Sequence, residues 1–115
     1  MSTLITGASG FVGRALCDFL SESEYVVVAA QRNLIQTKKY KQVCIPSIDA
    51  ATDWSEALKD VSTVVHLAAR VHVFNEQSFE LLAEFRKTNV EGTLNLARQA
   101  SRAGVKRFIF ISSLV

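Results

Sequence analysis

Gly7, Gly10 and Gly13, spaced three apart, are the residues of this chain whose types and positions point most directly to chemistry. They fall within Thr6-Gly7-Ala8-Ser9-Gly10-Phe11-Val12-Gly13, after the apolar pair Leu4-Ile5 and before an amphipathic stretch. That context is a strand turning into a helix, and it suits a dinucleotide diphosphate. Gly7 lets the chain bend sharply, Gly10 keeps no side chain between an anion and the backbone, and Gly13 lets the helix pack closely on the strand before it. The N–H groups and positive dipole end of the helix, at Ser9, Gly10, Phe11 and Val12, then face the negative charge. The spacing is G-x-x-G-x-x-G rather than G-x-G-x-x-G, so the flanking strand and helix carry the assignment more than the triplet does. The alternative is an ordinary turn with helix-packing glycines.

Other reactive residue types are sparse. His66 and His72 lie six apart with no cysteine or carboxylate constellation around them, so no metal site is expected, and His66 reads as a half-buried structural histidine. Cys17 and Cys44 show no metal-like spacing, and Cys17 falls inside the first helix, which points to reduced thiols and a cytoplasmic protein. The two tyrosines, Tyr25 and Tyr40, open a strand and sit in a polar loop, and neither has a lysine four residues on. Ser112 and Ser113 close an apolar run as a polar strand end.

Alternating elements must position these groups. Val12, Ala15, Leu16, Phe19 and Leu20 recur at helical spacing through Glu22, and Tyr25 to Ala30 is an unbroken apolar run of the kind a strand buried on both faces shows. Val43 to Ile45 reads as a third strand stopped by Pro46, and Asp53 with Glu56 resembles a capping box opening a brief helix, Trp54 to Lys59. Val61 to Ala69 forms the fourth strand, 70 to 77 a loop, Ser78 to Ala103 one long helix ended by Gly104, and Arg107 to Ser112 the fifth strand. The expected fold is α/β: a doubly wound Rossmann-type parallel sheet of order 3-2-1-4-5, with its ligand over the carboxyl ends of strands one and four. The sheet halts after its fifth strand, so 1–115 is expected to be an incomplete, truncated dinucleotide-binding domain. Pairing with another copy would cover the exposed Phe108 to Ile111 edge.

Composition narrows the function class. The chain has 115 residues, 49% hydrophobic, with a net charge of +2, which describes one globular domain and argues against a disordered chain or a nucleic-acid binder. No basic leader with an apolar core opens it, and no apolar run reaches membrane-spanning length.

Four segments in order, TGASGFVG, VVHLAARVHV, NVEGTLNLARQA and VKRFIFISS, resemble the amino-terminal half of the extended short-chain dehydrogenase/reductase family, and within it the nucleotide-sugar epimerases and dehydratases. The resemblance spans essentially the whole chain. It implies NAD or NADP as cofactor, a nucleotide-sugar substrate for the complete enzyme, and a homodimer formed in part by the long helix. By the same resemblance Ser113 would hydrogen-bond the reacting sugar hydroxyl, and Ser112 would line the cofactor. Leu67, Ala68 and Ala69 would lie beside the nicotinamide half; from its own type, a poor helix former in the middle of a helical pattern, Asn89 is expected to tie the long helix to the neighbouring strand ends. Ser47 and Ile48 would border adenine, where the family often has an aspartate. At the end of the second strand the family's acidic residue is replaced by Gln31 and Arg32, and an arginine there could pair with a 2′-phosphate or simply be solvated. The family's Tyr-x-x-x-Lys pair is absent from these residues, so the chain alone should hold a dinucleotide without turning substrate over. Two rivals remain: an NADPH-dependent ketone or aldehyde reductase on the same scaffold, and a non-enzymatic dinucleotide-binding module.

Overall fold

The computed structural model describes residues 2–68 and 79–111, with side chains in the latter segment described from residue 82. Five strands, β1 (Ser2–Thr6), β2 (Val26–Gln31), β3 (Lys41–Cys44), β4 (Val61–His66) and β5 (Arg107–Phe110), form one sheet of order β3-β2-β1-β4-β5. Every pairing is parallel. Helix α1 (Phe11–Glu22) connects β1 to β2, while α2 (Phe79–Arg86), a π-helical turn (Lys87–Gly92) and α3 (Thr93–Arg102) precede β5.

Neighbouring residues in the central strands point to opposite faces. Leu4, Val28 and Val64 join Trp54, Leu96 and Ala100 under α3, while Ile5, Val27, Ala29 and Val65 join Cys17 under α1. Both faces are therefore covered, which is why β2 reads as an apolar run without alternation. Each large aliphatic side chain so buried contributes about 1.5–3 kcal/mol.

Several element boundaries differ from expectation. The segment after Asp53 is a series of turns rather than a helix: Asp53 Oδ1 accepts both the Ser55 N–H (2.9 Å) and the Ser55 hydroxyl (2.6 Å). That is an Asx turn, so the carboxylate that would have capped a helix is already engaged. One helical bond, Leu58 N–H to Trp54 O, forms before Asp60 adopts a left-handed conformation (φ 60°) and starts β4. The long helix is interrupted by the π turn at Lys87–Gly92. Strand β4 ends at His66 because the Leu67 and Ala68 N–H groups donate to the Thr6 hydroxyl instead of extending a ladder. Strand β5 ends at Phe110, although the Ile111 N–H still reaches His66 O (3.3 Å). Gly104 does end α3, at φ +84°, with Val105 N–H bonded to Ala100 O and Gly104 N–H to Ser101 O. Those two bonds are the pair a Schellman motif makes.

Candidate functional site

The strand order reverses between β1 and β4, and a cleft of about 610 Å³ opens over the carboxyl ends of the strands there. Gly7, Ser9 and Gly10 of the first turn form its floor, with Leu67 and Ala68 beside them. Ala30 to Asn33 and Ile45 to Asp49 line one side, and Glu84, Lys87 and Thr88 the other.

The three glycines do different work. Gly7 has φ +66°, and a Cβ there would stand 2.7 Å from Ala68 N and 2.9 Å from Ala68 Cα, so the exit of β4 crosses directly over it. A Cβ on Gly13 would run into Gly7 O and Ala8 Cα, so this glycine lets the first helical turn sit on the bend itself rather than on the strand. A Cβ on Gly10 would meet only Gly7 O, at 3.3 Å, and its open side belongs to the cleft.

Gly10 is also the N-cap of α1, with no side-chain cap and no acidic residue in the first turn. The Gly10 N–H bonds Gly7 O, and the first helical bond runs from Arg14 N–H to Gly10 O (2.9 Å). The N–H groups of Phe11, Val12 and Gly13 thus have no intrahelical acceptor and meet the positive end of the helix dipole. This is a cradle for an anion, and the residues present fit a dinucleotide diphosphate.

Of the residues singled out from sequence, Gly7, Ser9, Gly10, Gln31, Arg32, Ser47, Ile48, Leu67 and Ala68 line this cleft together. Phe11 and Val12 do not: their side chains point to solvent, 94% and 61% exposed, leaving only backbone to offer. Gly13 supports the turn from behind, and Asn89 sits half-buried in the π turn outside the lining. Ala69, Ser112 and Ser113 lie outside the described residues, as do Arg70 and His72. Lys87, Thr88, Glu84 and Asn33 were not foreseen in the lining. The signal for Lys87 and Thr88 was their place just before Asn89, and a continuous α-helical count obscured which face they occupy.

The end of β2 is organised by side chains. Gln31 is buried, and its Nε2 donates to Gln42 Oε1 (2.5 Å); Gln42 in turn binds the Ile35 N–H (2.8 Å) and donates to Ile35 O (2.6 Å). The Gln31 amide is thereby committed to holding the following loop, and Arg32 is the charged group at the strand end. Across the cleft, Lys87 Nζ lies 3.5 Å from Glu84 Oε1. The loop after β3 is fastened to α3: Asn95 donates to Asp49 O (3.1 Å) and Thr52 O (2.8 Å), and Gln99 donates to Thr52 O (2.8 Å). Gly92 permits its approach, since a Cβ there would stand 2.8 Å from Ile48 Cγ2.

His66, expected half-buried, is fully enclosed beneath this floor. Its Nδ1 lies 2.6 Å from Thr6 Oγ1 and its Nε2 3.0 Å from Thr93 Oγ1, with the Phe110 ring stacked at 5.9 Å. Burial pushes its pKa down to about 4, so the imidazole is neutral. Cys17, buried under α1, is pushed up to about 11, chiefly by loss of solvent, and is an inert thiol. Among the described residues no group of three His, Cys, Asp or Glu could hold a metal, and no helix is long and apolar enough to cross a membrane.

Comparison with known proteins decides the family. The profile of the NAD dependent epimerase/dehydratase family matches residues 3–115. The chain belongs to that family. A UDP-glucose 4-epimerase of Vibrio cholerae is 44% identical over 98% of this chain and 35% of its own length. A sterol-4-alpha-carboxylate 3-dehydrogenase, decarboxylating, of Dictyostelium discoideum is 30% identical over 97% of this chain and 35% of its own. Among solved structures, MoeE5 in complex with UDP-glucose and NAD superposes with a TM-score of 0.83 at 33% identity, covering 99% of this chain and 37% of that one. The chain therefore spans about a third of the length of these relatives, and it shares its fold with the corresponding part of MoeE5.

Proposed function

We propose that this chain is the NAD(P)-binding part of a nucleotide-sugar epimerase or dehydratase. The observation that carries the reading is the bare backbone of Gly7 to Gly10 at an uncapped helix N-terminus, opening into a cleft at the reversal of strand order. In this reading the N–H groups of Phe11 and Val12 hold the diphosphate, Ser47 and Ile48 border adenine, Gln31 and Arg32 face its ribose, and Leu67, Ala68 and Ala69 face the nicotinamide side. Ser112 lines the cofactor beside Ser113, which holds the sugar hydroxyl undergoing oxidation. The bound nicotinamide accepts and returns a hydride; the chain's own work is to orient, to neutralise charge and to exclude water. We assign sugar binding and the Tyr-x-x-x-Lys base pair to the part of the whole protein corresponding to the other two thirds of its relatives. The family resemblance supports a homodimer through the long helix, and the free thiols Cys17 and Cys44 support a cytoplasmic setting.

Calorimetric titration of the chain with NAD and with NADP tests this reading. Gly10→Val should abolish binding, because a branched side chain would stand where the diphosphate must approach; a folded variant that binds as the parent does would overturn the assignment. A second reading, an NADPH-dependent reductase, is favoured by one observation: no carboxylate stands at the end of β2, and Arg32 does. If Arg32 holds a 2′-phosphate, Arg32→Ala should lower NADP affinity about tenfold and leave NAD unchanged, and an unaltered ratio would remove that reading.

A further inference from the structure

We infer that His66 is a positioning residue of the cleft, holding through Thr6 the backbone of Leu67 and Ala68 over the glycine turn and tying that backbone through Thr93 to the opposite wall. The inference rests on the dinucleotide reading above and assigns the buried ring a part in it.

Counting protons fixes how the network runs. A threonine hydroxyl has one proton to give and two lone pairs to receive. Thr6 Oγ1 accepts from the Leu67 N–H (3.1 Å) and from the Ala68 N–H (3.1 Å), so both lone pairs are occupied. Its proton must then go to His66 Nδ1, 2.6 Å away, which makes Nδ1 an acceptor and leaves the ring's proton on Nε2. Nε2–H donates to Thr93 Oγ1 at 3.0 Å. The order is therefore Leu67 and Ala68 N–H to Thr6, Thr6 O–H to His66, and His66 to Thr93. The neutral ring that burial enforces is the form this order needs, because an imidazolium would present a second donor to a hydroxyl already accepting two.

The place of the network gives it a functional reading. Ala68 is the residue that passes within contact of Gly7, and both line the cleft, so whatever sets the Ala68 backbone sets the bend where the diphosphate would lie. Thr93 begins α3 directly after the π turn whose Lys87 and Thr88 form the other wall. A single enclosed ring beneath the cleft thus joins the exit of β4 to the start of α3, the helix that follows the other wall. A purely space-filling residue at position 66 would need neither the two hydroxyl partners nor the exit of β4 from its ladder.

The test uses the 115-residue chain labelled with nitrogen-15, with Thr93→Val, Thr93→Ser and His66→Leu variants. In the parent, the ring should carry its proton on Nε2, and the Leu67 and Ala68 amides should be protected from exchange. Thr93→Val, which keeps the shape and removes the acceptor, should speed exchange of those two amides about tenfold relative to Val28 and weaken NAD about tenfold. Thr93→Ser should restore both. His66→Leu, which removes both the acceptor for Thr6 and the donor for Thr93, should reproduce both losses should the valine variant fail to fold. A parent ring protonated on Nδ1, or losses that serine does not restore, would overturn the inference. A chain that binds NAD equally well with valine at 93 would overturn the positioning role alone. A parent chain that binds no NAD yet keeps the Nε2 proton and the Thr93-dependent protection would overturn the dinucleotide reading alone.

Discussion

His66 shows what a single residue can hide in sequence. Its position in an apolar run predicted a structural histidine, but full enclosure and partners 60 and 27 residues away depend on pairings that no local pattern records. The consequence is a pH dependence of stability. Unfolded, the ring takes a proton near 6.5; folded, it does so only near 4, so the unfolded state binds more protons between those values. Stability from this residue is complete above the unfolded value and is lost as pH falls through the window. The unfolding free energy should drop by about 2 kcal/mol between about pH 7 and about pH 5, measured by urea titration. His66→Gln should flatten that portion of the profile, and an equal slope in parent and variant would contradict the assignment. The glycines were more legible: Gly7 and Gly10 announce themselves by spacing and context. Gly92 does not, because what demands it is Ile48, which the chain brings near only through the tertiary fold.

At the scale of elements, periodicity revealed the strands and helices because both sheet faces are buried, and it failed where a side chain or an irregular turn intervened. Asp53 spends its carboxylate on Ser55, so a capping signal yields a turn. The π turn left no trace in an apolar pattern that a continuous helix fits about as well. The two helix ends provide a comparison with a measurable outcome. Both α1 and α3 stop at a left-handed residue, with Tyr25 N–H bonded to Leu20 O (3.0 Å) in one and Val105 N–H to Ala100 O (3.0 Å) in the other. At the end of α3 that residue is Gly104, but at the end of α1 it is Glu24, at φ 70°. A Cβ in this region costs roughly 1 kcal/mol. Glu24 is exposed and in no ion pair among the described residues, so Glu24→Gly should raise stability by about 1 kcal/mol in urea unfolding. No gain would mean that the strain is relieved elsewhere.

For the whole molecule, the π turn bears on assembly. Leu82 and Val90 are eight residues apart, which in a regular α-helix would set them about 80° apart around the axis. A π turn advances less per residue, and it brings Leu82, Val90 and Leu94 toward one stripe, 47%, 51% and 47% exposed. Contiguous apolar surface of this kind favours association, and a two-fold pairing would bury the same stripe on both copies. If the proposed homodimer uses this face, sedimentation equilibrium of the parent chain should show a dimer. Leu94→Lys should then shift it to monomer, because the substitution sets like charges facing one another across the axis in place of apolar contact. Leu94 is not among the residues that line the cleft, so NAD affinity per chain should stay within about twofold while the mass halves. A lysine variant that remains dimeric would place the contact on another surface, and a monomeric parent would remove the dimer from the description of this chain.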